Sequence, residues 1–301
     1  MYDVIIIGAG PAGLTAAIYS RRASKKVLVL EAKTYGGQII NTLDIENYPV
    51  EEHISGVDFA TKLYKQAENL GAEVAFEKVV SVKLAGKEKE VTTEDDVYKA
   101  KIVIIATGSD NRKLGLSNEE ELIGKGISYC ATCDGAFYKG KKVAVNGGGN
   151  TALEDALYLA DVADKVYLIH RRDEFRGAEA TVERLKEKGN VELVLSSKVT
   201  KLNADEKLKS IEVTNSDGEK RVIEIDGLFV AIGRIPATGI FEGQVEMNKD
   251  GYIVAGEDCH TSTAGVFVAG DNRTKEVRQL VTAVADGAVA ATEAVKYLSE
   301  Q

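Results

Sequence analysis

Long apolar runs, cysteine and histidine are all scarce in this chain of 301 residues. No apolar run approaches the length that spans a bilayer, so we expect no membrane-spanning segment and no membrane partner. The three cysteines, Cys130, Cys133 and Cys259, are too few for a disulfide framework and suit a reducing compartment. With only three histidines and a single Cys-x-x-Cys pair, the chain offers few zinc ligands, and we expect no metal site.

Positive charge is also in the minority, because 38 Lys and Arg face 47 Asp and Glu and give a formal net charge of -9. Nucleic acids bind clustered basic side chains, so no nucleic-acid partner is expected. A hydrophobic fraction of 44% without low-complexity stretches predicts a packed chain, long enough for two ordinary domains. A strand pattern begins at Tyr2 and leaves no room for a signal peptide, which predicts a cytoplasmic protein.

The first 31 residues predict a strand, a tight turn, a helix and a second strand. Val4–Ile7 is a continuous apolar run, typical of a strand buried on both faces of a parallel sheet. The turn Gly8-Ala9-Gly10-Pro11-Ala12-Gly13 follows, then the helix pattern Leu14–Arg22 and the strand Val27–Leu30, which ends in Glu31. Glycines there let the backbone approach a pyrophosphate, and the helix N-terminus supplies free N–H groups. The unit predicts a dinucleotide site.

A second unit of the same kind lies near the middle of the chain. Its strand is Lys142–Val145 and its turn is Gly147-Gly148-Gly149-Asn150-Thr151-Ala152. A helix pattern, Leu153–Ala160, and a strand, Val166–Ile169, follow, and the strand runs into His170. The chain is therefore predicted to hold two dinucleotides.

The residue after the second strand of each unit predicts which nucleotide binds. Glu31 can accept hydrogen bonds from ribose hydroxyls and would repel a 2′-phosphate, which predicts FAD or NAD. The second unit has His170 there, and three arginines follow it: Arg171, Arg172 and Arg176. Guanidinium groups match a 2′-phosphate and predict NADPH; the alternative is a solvated basic patch. Flavin can take up hydride and reduce sulfur, so FAD is predicted at the first site.

Each unit closes on an apolar strand that runs into a glycine. In the first unit the strand ends in Ala106-Thr107-Gly108, and in the second it ends in Ile232-Gly233. A third such strand ends in Gly270-Asp271, and a helix pattern, Val281–Tyr297, follows it. Neither belongs to a copy of the repeat, so the simplest arrangement inserts the second copy into the first.

The predicted fold is therefore α/β, with two Rossmann-like dinucleotide-binding domains, the second inserted into the first, each with a small antiparallel β-meander. The predicted FAD-binding domain comprises residues 1–112 and 240–301. The predicted NADPH-binding domain comprises residues 113–239 and carries the cysteine pair.

The cysteine pair lies in the string Cys130-Ala131-Thr132-Cys133-Asp134-Gly135. A zinc half-site would need two further ligands, and a buried inert pair is the second alternative. We favour a redox-active dithiol, because cysteines separated by two residues can close a readily reduced disulfide. Asp134 can protonate a leaving thiolate, or can simply form an Asp-Gly turn.

Taken together, these segments resemble the low-molecular-weight thioredoxin reductases along essentially the whole chain. The segments that carry the resemblance are Gly8–Gly13, Gly36-Gly37-Gln38, Glu46–Pro49, Ala106–Gly108, Cys130–Gly135, Gly147–Ala152, His170–Arg176, Gly270-Asp271 and Arg278-Gln279. The resemblance implies an enzyme in which NADPH reduces FAD, FAD reduces the Cys130–Cys133 disulfide, and the dithiol reduces thioredoxin. It also implies a homodimer.

The resemblance further assigns individual residues. It implies FAD contacts at Gly36, Gly37, Gln38, Asn47, Asp271, Arg278 and Gln279. It implies that Cys133 faces the flavin, that Cys130 attacks thioredoxin, and that Asp134 is the acid/base. Two alternatives differ in function: a relative whose flavin is reduced by another donor such as ferredoxin, and a non-enzymatic flavin redox sensor. The first is expected to lack the second glycine turn and the basic cluster, and the second does not need an intact dithiol.

Overall fold

A computed structural model describes residues 1–42 and 44–301. The chain divides into two compact units, one made of Met1–Asp110 with Ile235–Gln301 and one made of Asn111–Arg234. We call them the outer and the inserted unit. The sequence placed the boundaries at 112/113 and 239/240, slightly later along the chain. In the structure the two crossing segments are short strands, β7 (Ser109–Asn111) and β16 (Arg234–Pro236).

The first part of the outer unit alternates strands and helices as predicted. Its elements are β1 (Tyr2–Ile7), α1 (Pro11–Arg22), β2 (Val27–Leu30), α2 (Gly56–Asn69), β3 (Glu73–Ala75), β4 (Val79–Lys83), β5 (Lys89–Thr93) and β6 (Val97–Ile105). The strand order is β3-β2-β1-β6-β5-β4. The first four strands in this order, from β3 to β6, are all parallel. The strands β4 and β5 are antiparallel and form a meander with the start of β6.

The inserted unit repeats this plan. Its elements are β8 (Ile127–Ser128), α3 (Ala131–Asp134), β9 (Lys142–Gly147), α4 (Asn150–Ala160), β10 (Lys165–Ile169), α5 (Glu179–Glu187), β11 (Val191–Val194), β12 (Ser197–Ala204), β13 (Leu208–Asn215), β14 (Lys220–Glu224) and β15 (Gly227–Ala231). Five strands form a parallel sheet in the order β11-β10-β9-β15-β8, and β12-β13-β14 form a separate antiparallel sheet.

The last part of the chain completes the outer unit. The strand β17 (Val266–Val268) pairs in parallel with the end of β6, and α6 (Leu280–Ser299) packs on α1. The close approach of the two helices depends on Gly287, because a Cβ there would lie 2.2 Å from the Ala12 carbonyl oxygen. The third apolar strand therefore joins the first sheet, and the final helix packs on α1 of the same unit.

The cores of both units are built from the apolar runs that marked the strands. In the outer unit Val4 and Ile6 lie in one core cluster while Ile5 and Ile7 lie in another, so β1 is buried on both faces. Such burial explains why this strand is continuously apolar and not alternating. Among the described residues, no helix is both long and apolar enough to cross a membrane.

Candidate functional site

The first glycine turn packs tightly against the end of β6. A Cβ on Gly8 would lie 2.4 Å from the Ala106 carbonyl oxygen, and one on Gly13 would lie 1.9 Å from the Gly8 carbonyl oxygen. Only glycine fits these two positions, since real Cβ atoms do not approach so closely. The N-cap of α1 is Gly10, and no side chain caps the helix. Its first N–H groups are therefore available to an anion such as a pyrophosphate.

The carboxylate of Glu31 is held beside this turn. Its Oε2 accepts a hydrogen bond from the Ala9 N–H at 2.8 Å, and its Oε1 accepts one from the Lys33 N–H at 3.0 Å. These bonds fix the side chain at the end of β2, and an ionised carboxylate still has lone pairs for further donors. The position is compatible with the predicted recognition of ribose hydroxyls.

The segment around Gly36 and Gly37 passes over the same turn. A Cβ on Gly37 would lie 3.3 Å from the Gly10 Cα. Gln38 donates a hydrogen bond to Asp110 Oδ1 at 2.6 Å. Further along the chain, Asn47 Nδ2 donates to Gln279 Oε1 at 3.4 Å, so two predicted FAD contacts lie together at the start of α6.

A buried carboxylate holds the loop that carries Gly270 and Asp271. Asp286 on α6 accepts hydrogen bonds from the Gly270 N–H, from Arg273 and from Lys275. Burial raises the pKa of Asp286, but the bonds from Arg273 and Lys275 outweigh it and hold the pKa below its usual value. Sequence reasoning missed Asp286, because a single aspartate within a helix pattern gives no signal of burial.

Unsatisfied polar atoms lie at this end of the sheet. Asn272 donates to the Ile105 carbonyl and to Thr107 Oγ1, both at 3.2 Å, while its buried Oδ1 has no hydrogen-bond partner among the described residues. The Nε of Arg278 is likewise buried without a partner there. An unpaired buried polar group costs about 1–3 kcal/mol. A bound ligand rich in donors and acceptors would satisfy such groups, so these residues fit a flavin nucleotide.

The second glycine turn is supported by His170. A Cβ on Gly147 would lie 2.3 Å from the Ala231 carbonyl oxygen, and one on Gly148 would lie 2.2 Å from the His170 ring. The ring is buried and stacks on Phe175 with centroids 5.5 Å apart. Burial, followed by the charges of the three nearby arginines, lowers its pKa. A neutral His170 therefore lies against the turn. Nothing in the residue pattern singled out Gly148, because its contact with His170 forms only in the folded chain.

The first turn of α4 is open to a ligand. Its N-cap is Gly149 and no side chain caps it. Asn150 and Thr151 are exposed at the start of the helix, and Asn150 Oδ1 accepts a hydrogen bond from the Ala178 N–H at 2.8 Å. Gly233, with φ of 112°, lies beyond the end of β15, with Ile232 before it.

Three arginines next to this turn lack counter-charges. Arg171, Arg172 and Arg176 are exposed, and their guanidinium groups form no hydrogen bond or ion pair within residues 1–42 and 44–301. The Arg176 N–H donates to the Gly148 carbonyl at 2.7 Å, which ties the arginine segment to the turn. Three uncompensated cations in a chain of net charge -9 form a local site for a phosphate.

The two cysteines of the Cys-x-x-Cys string form a disulfide. Cys130 is the N-cap of α3 and Cys133 lies within it, with their Cα atoms 5.3 Å apart. Both residues are half-buried, and the Cys130 carbonyl accepts a hydrogen bond from the Asp134 N–H at 3.1 Å. Because the two sulfurs are bonded to each other, the pair has the form that a redox-active dithiol takes when it is oxidised.

Asp134 lies in a largely buried position after the disulfide. Its Oδ2 accepts a hydrogen bond from Ser128 Oγ at 2.6 Å. Burial raises the pKa of Asp134, and the Ser128 hydrogen bond lowers it by less, so the net shift is upward. A carboxyl group with a raised pKa holds its proton to higher pH than an ordinary carboxyl group, which suits it to protonate a leaving thiolate.

Two other groups with reactive side chains lie outside these sites. Cys259 is a buried free thiol, and burial, then the charge of Asp286, raises its pKa to about 12. It is therefore protonated and unreactive at neutral pH.

Asp44, Glu46 and His53 have ligand atoms within 4.8 Å of one another, but Glu46 and His53 are exposed, and His53 is hydrogen-bonded to Asp44.

Known proteins resemble this chain along its whole length. The model of the pyridine nucleotide-disulphide oxidoreductase family matches residues 2–287. A thioredoxin reductase of Listeria innocua is 43% identical over 303 residues, which cover 100% of this chain and 95% of the relative. A thioredoxin reductase of Peptoclostridium acidaminophilum is 43% identical over 306 residues, covering 99% of this chain and 97% of that one.

Solved structures agree with this. The crystal structure of a thioredoxin reductase from Streptococcus pyogenes superposes with a TM-score of 0.94 at 39% identity, covering 100% of this chain and 99% of that one. The chain belongs to the pyridine nucleotide-disulphide oxidoreductases and, among them, to the thioredoxin reductases. The resemblance drawn from the sequence and the predicted fold of two Rossmann-like domains are confirmed. The chain is an oxidoreductase that uses a flavin and a pyridine nucleotide.

Proposed function

We propose that this chain is a cytoplasmic, homodimeric thioredoxin reductase that binds FAD in its outer unit and NADPH in its inserted unit, and reduces thioredoxin. The observation that carries the proposal is the disulfide between Cys130 and Cys133, followed directly by Asp134 with its raised pKa. Two glycine turns that expose helix N-termini accompany this dithiol in one chain. A chain with these sites can accept electrons at a bound coenzyme and pass them on through the cysteine pair.

The side chains beside each turn support the choice of coenzyme. In the outer unit Glu31 offers a carboxylate, which favours ribose hydroxyls over a 2′-phosphate and so favours FAD. In the inserted unit Arg171, Arg172 and Arg176 offer exposed charges, which favour the 2′-phosphate of NADPH over NADH. When bound, FAD supplies an acceptor for hydride that can in turn reduce a disulfide.

The reduced cysteine pair completes the reaction by thiol–disulfide exchange. The thiolate of Cys130 attacks one sulfur of the thioredoxin disulfide, that S–S bond breaks, and a mixed disulfide forms. Asp134 gives a proton to the departing sulfur. Cys133 then attacks the mixed disulfide, the Cys130–Cys133 bond forms again, and thioredoxin leaves with two electrons as a dithiol. Ring closure needs little motion, since the Cα atoms are already 5.3 Å apart in the disulfide form.

The proposal is tested with FAD-loaded protein, NADPH and oxidised thioredoxin. We expect turnover that disappears in both Cys130→Ser and Cys133→Ser. With thioredoxin, Cys133→Ser should accumulate a mixed disulfide through Cys130, visible as a mass increase, whereas Cys130→Ser should not. Cys259→Ser is the matched control and should keep full activity. Turnover with reduced ferredoxin but not with NADPH would instead support the alternative electron donor. Retained turnover in both serine variants would overturn the proposal.

A further inference from the structure

Ser128 links Asp134 to the backbone of Cys130. This serine ends β8, is 4% exposed, and was not among the residues predicted from the sequence. Its Oγ lies 2.6 Å from Asp134 Oδ2 and 3.3 Å from the Cys130 carbonyl oxygen. It also accepts a hydrogen bond from the Cys130 N–H at 3.1 Å. One hydroxyl thus reaches the proposed acid/base and both backbone polar groups of the proposed interchange cysteine.

The three distances define two alternative hydrogen-bond patterns. A serine hydroxyl has one hydrogen to donate and can accept as well. An ionised Asp134 can only accept, so the hydroxyl donates to it, in agreement with the short 2.6 Å distance. A protonated Asp134 has its own hydrogen to donate to Ser128 Oγ, and the serine hydrogen then turns to the Cys130 carbonyl. In both patterns Ser128 Oγ can accept the Cys130 N–H, and it is bonded to Asp134 Oδ2 as donor in one and as acceptor in the other.

We propose that Ser128 is a positioning residue for thiol–disulfide exchange: its hydroxyl keeps Asp134 hydrogen-bonded to the Cys130 segment whether or not Asp134 carries a proton. The inference rests on the proposed function, in which Asp134 moves protons for the dithiol. It assigns the serine to the half of the reaction that transfers electrons to thioredoxin, and not to the binding of either coenzyme.

The proton balance of the exchange uses both hydrogen-bond patterns in turn. The Cys130 thiol gives its proton to the Asp134 carboxylate, and the resulting thiolate attacks one sulfur of the thioredoxin disulfide. The thioredoxin S–S bond breaks, and its departing sulfur takes the proton from Asp134. Cys133 then gives its proton to the same carboxylate and attacks the Cys130 sulfur of the mixed disulfide. The Cys130–Cys133 bond forms, the bond between Cys130 and thioredoxin breaks, and the second thioredoxin sulfur leaves and takes the proton from Asp134. The carboxyl group ends as it began, and the Ser128 hydroxyl reverses direction with each transfer.

Removal of the hydroxyl has a defined effect on Asp134. Burial raises the pKa of this carboxyl and the Ser128 hydrogen bond opposes that shift, so its loss should raise the pKa further. Among the described residues of the oxidised protein, the titratable group that interacts electrostatically with Asp134 is Tyr138. Its own pKa is raised to about 12, first by burial and then by Asp134, so it stays neutral in this range. In the reduced protein the thiols of Cys130 and Cys133 become titratable groups as well.

The test compares Ser128→Ala with Ser197→Ala in the FAD-loaded, full-length protein. Ser197 is a matched control, because it is a serine of the inserted unit, is 5% exposed, and donates to the Leu195 carbonyl at 2.8 Å. The first readout is the titration of the Asp134 carboxyl by 13C NMR, assigned with Asp134→Asn. The second is the pH profile of kcat/KM for thioredoxin. The third is the rate of flavin reduction by NADPH.

We expect Ser128→Ala to move both the carboxyl titration and the pH profile upward by about one to two pH units. Thioredoxin reduction at neutral pH should fall about tenfold or more, with the flavin reduction rate unchanged. Ser197→Ala should move none of these. If the alanine variant does not fold, Ser128→Thr and Ser128→Val repeat the test with two side chains of nearly equal volume. The threonine variant keeps a hydroxyl and should retain the wild-type titration of Asp134, whereas the valine variant lacks it and should shift that titration.

An unchanged Asp134 titration in a folded variant without the hydroxyl would overturn the inference. A different result tests the proposed function itself. If Asp134→Asn reduces thioredoxin at the wild-type rate and with the wild-type pH profile, Asp134 is not the acid/base. If Asp134→Asn loses activity while the Ser128 variants keep the normal titration, only the role of Ser128 is wrong.

Discussion

Arg273 and Asp286 form a two-point ion pair inside the outer unit, with Nε and Nη2 of the arginine each 2.8 Å from a carboxylate oxygen. The two side chains are only 2% and 7% exposed. Lys275 Nζ and the Gly270 N–H add bonds of 2.9 Å each. One carboxylate thus neutralises two cations and fixes the start of the loop that bears Asp271, a predicted FAD contact.

Asp286→Asn should therefore destabilise the protein and weaken its hold on the flavin. The amide keeps the shape of the side chain but leaves two buried cations, and the exposed carboxylate of Glu257 lies 3.6 Å from Arg273 Nη2. Breaking a buried pair in this way costs about 3–5 kcal/mol. The expected result is a lower free energy of unfolding in urea and faster release of flavin on dilution. Glu300→Gln, an exposed change at the C-cap of the same helix, should do neither.

The contact of Asp286 with Arg273 and Lys275 also predicts how the free energy of unfolding depends on pH. The pKa of Asp286 is lowered in the folded state, so its contribution to stability is present above the unfolded pKa and is lost as pH falls through the folded value. The difference in unfolding free energy between the parent protein and Asp286→Asn should therefore shrink in acid. A difference that stays constant between neutral pH and the acid unfolding limit would contradict this account.

The strands and turns were predictable because each is encoded locally. A strand buried on both faces must be apolar throughout, as Val4–Ile7 is, and the turn after it needs glycine where the backbone approaches a neighbour. The contact between Asp286 and Arg273 gave no such signal, since it depends on how a loop folds back onto a helix. Ser128 was missed for a related reason: a serine before a cysteine is ordinary until the fold places Asp134 against it.

Coenzyme choice should depend on the exposed arginines. Arg171→Ala combined with Arg172→Ala should raise the KM for NADPH at least about tenfold, because each charged contact to a 2′-phosphate contributes about 1.5–3 kcal/mol. The KM for NADH should hardly change. The measurement is steady-state kinetics with both coenzymes. Arg221→Ala is the control, because that guanidinium already pairs with Glu192 at 2.7 Å. Equal effects on both coenzymes would exclude the 2′-phosphate site.

The contact between Gly148 and His170 makes a separate prediction for the second turn. Gly148→Ala places a Cβ about where the His170 ring lies, 2.2 Å from its nearest atoms, so the turn or the ring must shift. NADPH affinity, measured by calorimetry, should fall. The double variant Gly148→Ala with His170→Ala removes the obstructing ring and should recover part of that affinity. Gly189→Ala, in the same unit but outside the turn, is the control, since its Cβ would have nothing within 4 Å. No recovery in the double variant would show that the clash is not the cause.

Asp155 should make the stability of the protein fall as pH rises towards neutral. Burial, and after it the charge of Glu154, raises the pKa of this α4 carboxyl to about 7. The charge of Arg234 lowers the pKa by less than these two effects raise it. The folded state therefore holds a proton that the unfolded state releases near the ordinary value of 3.8. The contribution of Asp155 to the free energy of unfolding is therefore fully present below its pKa in the unfolded chain. It is lost as the pH rises through its pKa in the folded protein.

Asp155→Asn removes this loss, because the amide does not ionise. Relative to the parent protein, its free energy of unfolding should rise between pH 4 and pH 8 by roughly 2–4 kcal/mol, since one pKa unit corresponds to about 1.4 kcal/mol. Urea unfolding at several pH values measures the difference directly. Glu154→Gln should move the transition to lower pH, because it removes a neighbouring negative charge that favours the protonated form. Asp161→Asn, an exposed change at the end of the same helix, should leave the pH dependence unchanged. Parallel stability curves for the parent protein and Asp155→Asn would show that Asp155 is already ionised well below neutral pH.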